Sequence, residues 1–380
     1  MSIFCVCRSR IRWLNGALLL LLLAACNERH TPPEAEDERV PPPDALSGAE
    51  LDVRHANEVL WSNLRRNVAD TLKLARDFEA KVNEFLAAPS ETTLAAAQAH
   101  WLRLALQEPR LTLLGGISEQ RVHSEAALNS LLYRLFAAPI QPGFLDRFGE
   151  YEYSGLVFDI GFRLSAESLL DQQGLTDETE VVLGIYAIEF MLFGENGKRS
   201  AVDYQPRTTL NDEDRKLGLE SVEELPKNRR RTLLSLQVEQ LLRDIQQLKS
   251  QTESDGVAAR WSNLSAPQQV KIMREAVAAK LTQSLIDLAE LQNALNEHDA
   301  QELPVSPSAL QLMVKKLATR FEALLPALSF YTDVESAAMQ QHLQESVSAL
   351  KSLQIDKNAA ETNRTTLSGI YNRIKTLVGA

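Results

Sequence analysis

Cysteine, glycine and positive charge are all in short supply in this chain of 380 residues. There are 3 cysteines, and Cys5 and Cys7 fall at the extreme N-terminus, which leaves Cys26 alone downstream. A disulfide framework and a thiolate zinc site are therefore both excluded from the rest of the chain. Glycine numbers only 16, and few stretches alternate polar with apolar residues, so a strand-rich fold is excluded as well. Asp and Glu total 51 against 40 Lys and Arg, a net charge of −11. This balance argues against nucleic acid or an anionic membrane surface as a partner. Chemical signatures are missing too: no His-Glu-x-x-His, no Gly-x-Ser-x-Gly, no phosphate-cradling glycine loop and no Cys/His nucleophile pair occurs.

What is present begins with a segment for export. Arg8, Arg10 and Arg12 precede an apolar run, Ala17 to Ala25, which is too short to span a bilayer and stops at Leu23-Ala24-Ala25-Cys26. This pattern predicts a lipoprotein signal peptide over 1–25, cleaved before Cys26, with lipid attached to the Cys26 thiol. Residues 26–48 carry Pro32, Pro33, Pro41, Pro42 and Pro43 among polar neighbours and read as a disordered tether. Asn rather than Asp at position 27 points to an outer-membrane anchor facing the periplasm. The remainder exceeds the usual size of a single core. Two helical lobes, 49–205 and 206–380, are expected.

The fold class predicted is all-α, with two four-helix-bundle-like lobes. Leu60, Leu64, Val68, Leu72, Ala75, Phe78, Val82 and Phe85 recur at helical spacing and stop at Pro89. Ser90 is placed to cap a second helix through Trp101 and Ala105, with Pro109 and Gly115-Gly116 marking its end. Further helices are expected over 119–137, 156–170 and 176–193, the last capped by Thr176. A polar connection over 198–226 separates the lobes. Beyond it, helical stripes run through Leu233, Leu241 and Leu248, from a capping box at Ser265–Gln268, from Ser306-Pro307, and finally through Val334, Met339, Leu343, Val347 and Leu350.

One carboxylate stands out. From Val181 to Phe193 the only formal charge is Glu189, and a segment apolar on every side is a buried one. An ionised carboxylate there costs several kcal/mol unless paired, so Glu189 must have a partner, be protonated, or sit in a wet cleft. Tyr186 lies three residues earlier on the same helical face. Either the phenol simply bonds Glu189 or Arg163 or Arg207 neutralises it, or the two side chains share a ligand. As a metal pair, Tyr186 and Glu189 would offer hard oxygens suited to ferric iron. Two other His-x-x-Glu matches, His55/Glu58 and His342/Glu345, lie among polar residues as chance would place them. Lys227–Arg231 reads as a solvated basic face, or alternatively supplies an arginine that turns inward to Glu189. Trp61, Trp101 and Trp261 read as core or interface anchors.

The stretch Gly184-Ile-Tyr-Ala-Ile-Glu-Phe-Met-Leu-Phe-Gly194 resembles the signature of the imelysin-like family, roughly Gly-Trp-His-Ala-Ile-Glu-Phe-Leu-Leu-Trp-Gly. Ala88–Leu94 running into Ala99-His-Trp101, Asp203-Tyr204 and Arg229–Leu234 are also similar to family segments. Gly184, Gly194 and Glu189 carry over, whereas Tyr186 stands where the family has its histidine. The resemblance implies an exported all-helical protein of two bundles, linked to iron acquisition and labelled a metallopeptidase. The expectation for this chain is a non-catalytic protein that binds a ligand, or an iron or other divalent ion through Glu189 and Tyr186, between its lobes. Partners implied are the membrane, through Cys26, and an envelope protein. An imelysin-type metallopeptidase and a structural envelope protein are the alternatives.

Overall fold

The computed structural model describes residues 48–119, 126–253, 257–299, 307–353 and 360–379. The expected signal peptide, Cys26 and all but the last residue of the tether lie outside these. Fourteen helices account for most of the described chain: α1 Gly48–Ala87, α2 Glu91–Ala105, α3 Thr112–Glu119, α4 Ala126–Phe136, α5 Pro142–Leu145, α6 Ala166–Gln172, α7 Ile185–Phe193, α8 Asp212–Lys216, α9 Pro226–Gln251, α10 Val257–Ser262, α11 Ala266–Asp299, α12 Pro307–Leu324, α13 Asp333–Ser352 and α14 Ala360–Val378. Among the described residues there is no strand, only an isolated bridge between Phe148 and Tyr151. The fold is all-α.

All eight residues of the α1 stripe are buried, and each large one contributes about 1.5–3 kcal/mol relative to exposure. Pro89 ends that helix and Ser90 opens the next: the Ser90 Oγ accepts from Thr93 N at 3.2 Å, while Ser90 N donates to Thr93 Oγ1 at 3.1 Å. α11 starts as expected, with Ser265 N donating to Gln268 Oε1 at 2.9 Å. Helices α1, α2, α7 and α9 form one bundle, flanked by α4, and α11, α12, α13 and α14 form a second. The packing draws on both sides of residue 205, since α9 lies on α1, α4 and α7 while α3 lies on α11.

Several expectations need correction. Gly115 and Gly116 do not terminate a helix but sit inside α3, where a Cβ on Gly116 would come 2.6 Å from the Ala276 Cβ. The missing side chain lets α3 approach α11 closely. Helix 156–170 is reduced to α6, capped by Ser165. The segment before it is a loop, buried at Leu156 and Val157, whose carbonyls at Leu156, Val157, Asp159 and Phe162 all accept from the Arg229 guanidinium, at 2.6 to 3.1 Å. Leu156 and Val157 are inside without helical hydrogen bonds from their carbonyls because a side chain meets those carbonyls instead. The expected helix from Thr176 begins only at Ile185. Val182 and Leu183 instead donate their N–H groups to Gln173 Oε1, each at 2.9 Å. Val334 is 83% exposed, off the α13 stripe, and α14 is an additional terminal helix.

Candidate functional site

Helix α7 is placed by its glycines. Gly184 has φ +90°, and a Cβ there would lie 2.2 Å from the Arg134 carbonyl oxygen, so only glycine lets the chain turn into α7 against α4. Every residue from Ile185 to Leu192 is buried, and the helix's polar ends are met by side chains rather than water. Trp101 Nε1 donates to Ile185 O at 2.9 Å. Met191 O accepts from Tyr204 OH at 2.6 Å and from Arg199 Nε at 3.0 Å.

Around the C-terminal end of α7 lies a closed ion-pair cluster. Asp146 is fully buried, and its Oδ2 accepts from Arg230 Nε at 2.7 Å and faces Arg199 Nη1 at 2.9 Å. Its Oδ1 accepts from Arg230 Nη2 at 2.9 Å and from the Arg147 backbone N–H at 2.8 Å. Burial works to raise the Asp146 carboxyl, but the two guanidiniums outweigh it and hold it below its ordinary range. The basic run expected as a solvated face is thus mostly internal, with Arg229 and Arg230 buried. Its arginines do turn inward, though to Asp146 and to backbone carbonyls rather than to Glu189.

The expected site residues are on the other face of α7. Tyr186 and Glu189 share that face, but the phenol does not bond Glu189. Tyr186 OH donates to Glu108 Oε2, from the short 3₁₀ turn Glu108–Leu111. Lys316 of α12 completes the group: its Nζ donates to Glu108 Oε2 at 2.6 Å and to Tyr186 OH at 3.0 Å, and lies 4.9 Å from the Tyr186 ring centroid. Lys316 is buried, and the Glu108 side chain is mostly covered, keeping 29% exposure. Arg207 is committed to Asp214 at 2.6 Å, so the expected neutralising arginine is replaced by a lysine from the second bundle.

Glu189 itself is 4% exposed, and its Oε2 has no hydrogen-bond partner among the described residues. Burial pushes its carboxyl up to about 8; Lys316 works against this and Glu108 adds to it. At neutral pH the group is therefore mainly protonated. Glu108 behaves oppositely: burial would raise it, but Lys316, its hydrogen bonds and the Arg320 charge hold it below the ordinary range. Burial, then the adjacent Glu108, keeps the Tyr186 phenol well above its usual range and hence neutral. The turn, α7 and α12 thus bring together one carboxylate, one ammonium, one phenol and one protonated carboxyl.

The donor set does not fit a metal ion. Tyr186 OH is committed to Glu108, an ammonium already touches both oxygens, and Arg320 adds a second positive charge one turn further along α12. No group of three or more His, Cys, Asp or Glu able to hold a metal occurs among the described residues. His55 and Glu58 are exposed on α1, and Glu345 accepts from Gln341 at 2.9 Å, so neither His-x-x-Glu match builds a site. Nothing local in the sequence marked Glu108, which precedes a proline in a helix break, or Lys316, one lysine of a Lys315-Lys316 pair.

A search of curated proteins found no match. Among solved structures, an imelysin-like protein from Psychrobacter arcticum 273-4 is similar in fold, with a TM-score of 0.50 at 14% identity, covering 88% of this chain and 93% of that one. The sequence model described as Imelysin, peptidase M75, matches residues 65–357, which spans α7 and takes in Glu108, Tyr186, Glu189 and Lys316. The chain belongs to the imelysin family.

Proposed function

We propose that this chain is a non-catalytic, ligand-binding member of its family, anchored by lipid on Cys26 at the outer membrane and facing the periplasm. The signal-like N-terminus supports the anchor, and among the described residues no helix is long and apolar enough to cross a membrane. The observation carrying the binding reading is Glu189, a buried protonated carboxyl with an unsatisfied oxygen at the junction of the two bundles. A buried polar atom without a partner is costly, and sites that keep one do so for a reason beyond stability. Metal-assisted hydrolysis needs about three protein ligands and an open position for water. Here the phenol and Glu108 are tied to Lys316. The link to iron acquisition rests on the family resemblance, and the donor set favours chelated iron or a partner protein over a bare ion.

The test pairs two measurements on the purified chain. Peptide hydrolysis with added zinc, with and without chelator, is expected to stay at the buffer rate. Ferric citrate, as the probe of chelated iron, is expected to raise the melting temperature of the wild type but not of Glu189→Gln. Chelator-sensitive hydrolysis lost in Glu189→Gln would establish the peptidase instead. No shift in either protein would favour a purely structural envelope role.

A further inference from the structure

We propose that Lys316 is the resident cation of this site: its ammonium takes the place between the Glu108 carboxylate and the Tyr186 phenol that a metal ion held by those oxygens would take, so the chain carries a latent cation site that Lys316 keeps closed. The geometry is that of an ion with its ligands. Lys316 Nζ is 2.6 Å from a Glu108 oxygen and 3.0 Å from the phenol oxygen, with the aromatic face of Tyr186 at 4.9 Å. Glu189, one helical turn beyond Tyr186, lies within electrostatic reach of both Lys316 and Glu108. Two oxygen-bearing side chains, one from the turn and one from α7, thus hold a positive charge that comes from the opposite bundle.

Charge arithmetic explains why the ammonium excludes a metal. Glu108 and Lys316 balance each other. A divalent ion entering would meet a like charge at roughly ligand distance, a repulsion that a buried site screens far less than water does. It would also meet Arg320, which is held nearby by Asp287 and Ser284. Without Lys316, the same pocket offers two carboxyl groups and a phenol. That hard-oxygen set suits Mn²⁺ and ferric iron rather than soft ions. The positive charge also ties the bundles together, because α12 belongs to the second bundle and α7 to the first.

This inference rests on the non-catalytic reading, but the two fail separately, one by hydrolysis and the other by metal stoichiometry. Calorimetry and electron paramagnetic resonance with MnCl₂ at neutral pH would be run on wild type, Lys316→Arg, Lys316→Met and Lys316→Met/Glu189→Gln. Wild type and Lys316→Arg are expected to take up no Mn²⁺. Lys316→Met is expected to gain one site per chain, at least about tenfold tighter than any wild-type uptake, a modest share of the repulsion removed. The double variant loses that site. Circular dichroism confirms folding, and Lys316→Gln takes the place of Lys316→Met if the latter does not fold. Stoichiometric Mn²⁺ on the wild type that Glu189→Gln removes would overturn the proposal, as would a folded Lys316→Met or Lys316→Gln that binds none.

Discussion

The C-terminal end of α7 and the face that carries Glu189 treat buried charge in opposite ways. At its C-terminal end, both oxygens of Asp146 are saturated by Arg199, Arg230 and a backbone N–H. On its site face, Glu189 keeps an oxygen with no partner among the described residues and responds by holding its proton. A carboxylate that is fully paired is a fixture of the fold, stabilising only while its partners stay. A carboxyl left without a partner keeps its proton, and its charge is the variable. The same helix thus separates a saturated carboxylate from an unsaturated one by which groups its neighbours bring.

The comparison is broken most severely at Asp146. Asp146→Ala strands two buried guanidiniums, and urea denaturation should show a loss of about 3–5 kcal/mol at neutral pH. Since the folded carboxyl is held below the unfolded value of 3.8, this contribution is present above that pH and is lost as pH falls through the folded value, so the penalty shrinks in acid. Next comes Gly184→Ala, which forces a positive φ on alanine and drives its Cβ into the Arg134 carbonyl; about 2 kcal/mol or more should be lost, read as a lower thermal midpoint.

Glu189→Gln should act with the opposite sign. The folded carboxyl, at about 8, lies above the ordinary 4.5, so the folded state holds an extra proton between these values and wild-type stability falls as pH rises from 4.5 to 8. Glutamine mimics the protonated form and removes that fall. Melting curves should show the variant stabilised by roughly 1–3 kcal/mol at pH 8 and little changed at pH 4.5. Variant and wild-type curves that run parallel across this window would erase the contrast with Asp146. The smallest effect belongs to an exposed pair: Lys81→Ala removes the 2.8 Å bridge to Glu84 on α1 and should change stability by less than about 0.5 kcal/mol.

Much of the fold was legible because long amphipathic helices write their burial into local spacing. The α1 stripe from Leu60 to Phe85, the Ser90 cap and the Ser265 box are all where periodicity and capping chemistry put them. Periodicity misled where apolar residues are buried without being helical. Leu156 and Val157 are inside with Arg229 holding their carbonyls, and Val182 and Leu183 are non-helical with Gln173 accepting from their N–H groups. Arg229 lies far outside the window in which a pattern could register it, and apolar periodicity does not register a glutamine's side-chain bond even nearby. Gly116 misled in the other sense, since a helix terminator and a helix contact look alike until Ala276 is beside it.

By itself, the sequence determined that Glu189 would be buried, because it is the lone charge in a helix apolar on every side, and left open whether it would be paired, protonated or wet. It also determined that the chain would be helical, since its stripes, caps and scarcity of glycine agree. Only the tertiary structure decided what Glu189 faces. Glu108 and Lys316 stand 78 and 130 residues from Tyr186, and Coulomb attraction across such separations leaves no trace in local spacing. Which cation balances a buried carboxylate depends on which helix packs over it, and that is settled when the two bundles close on each other.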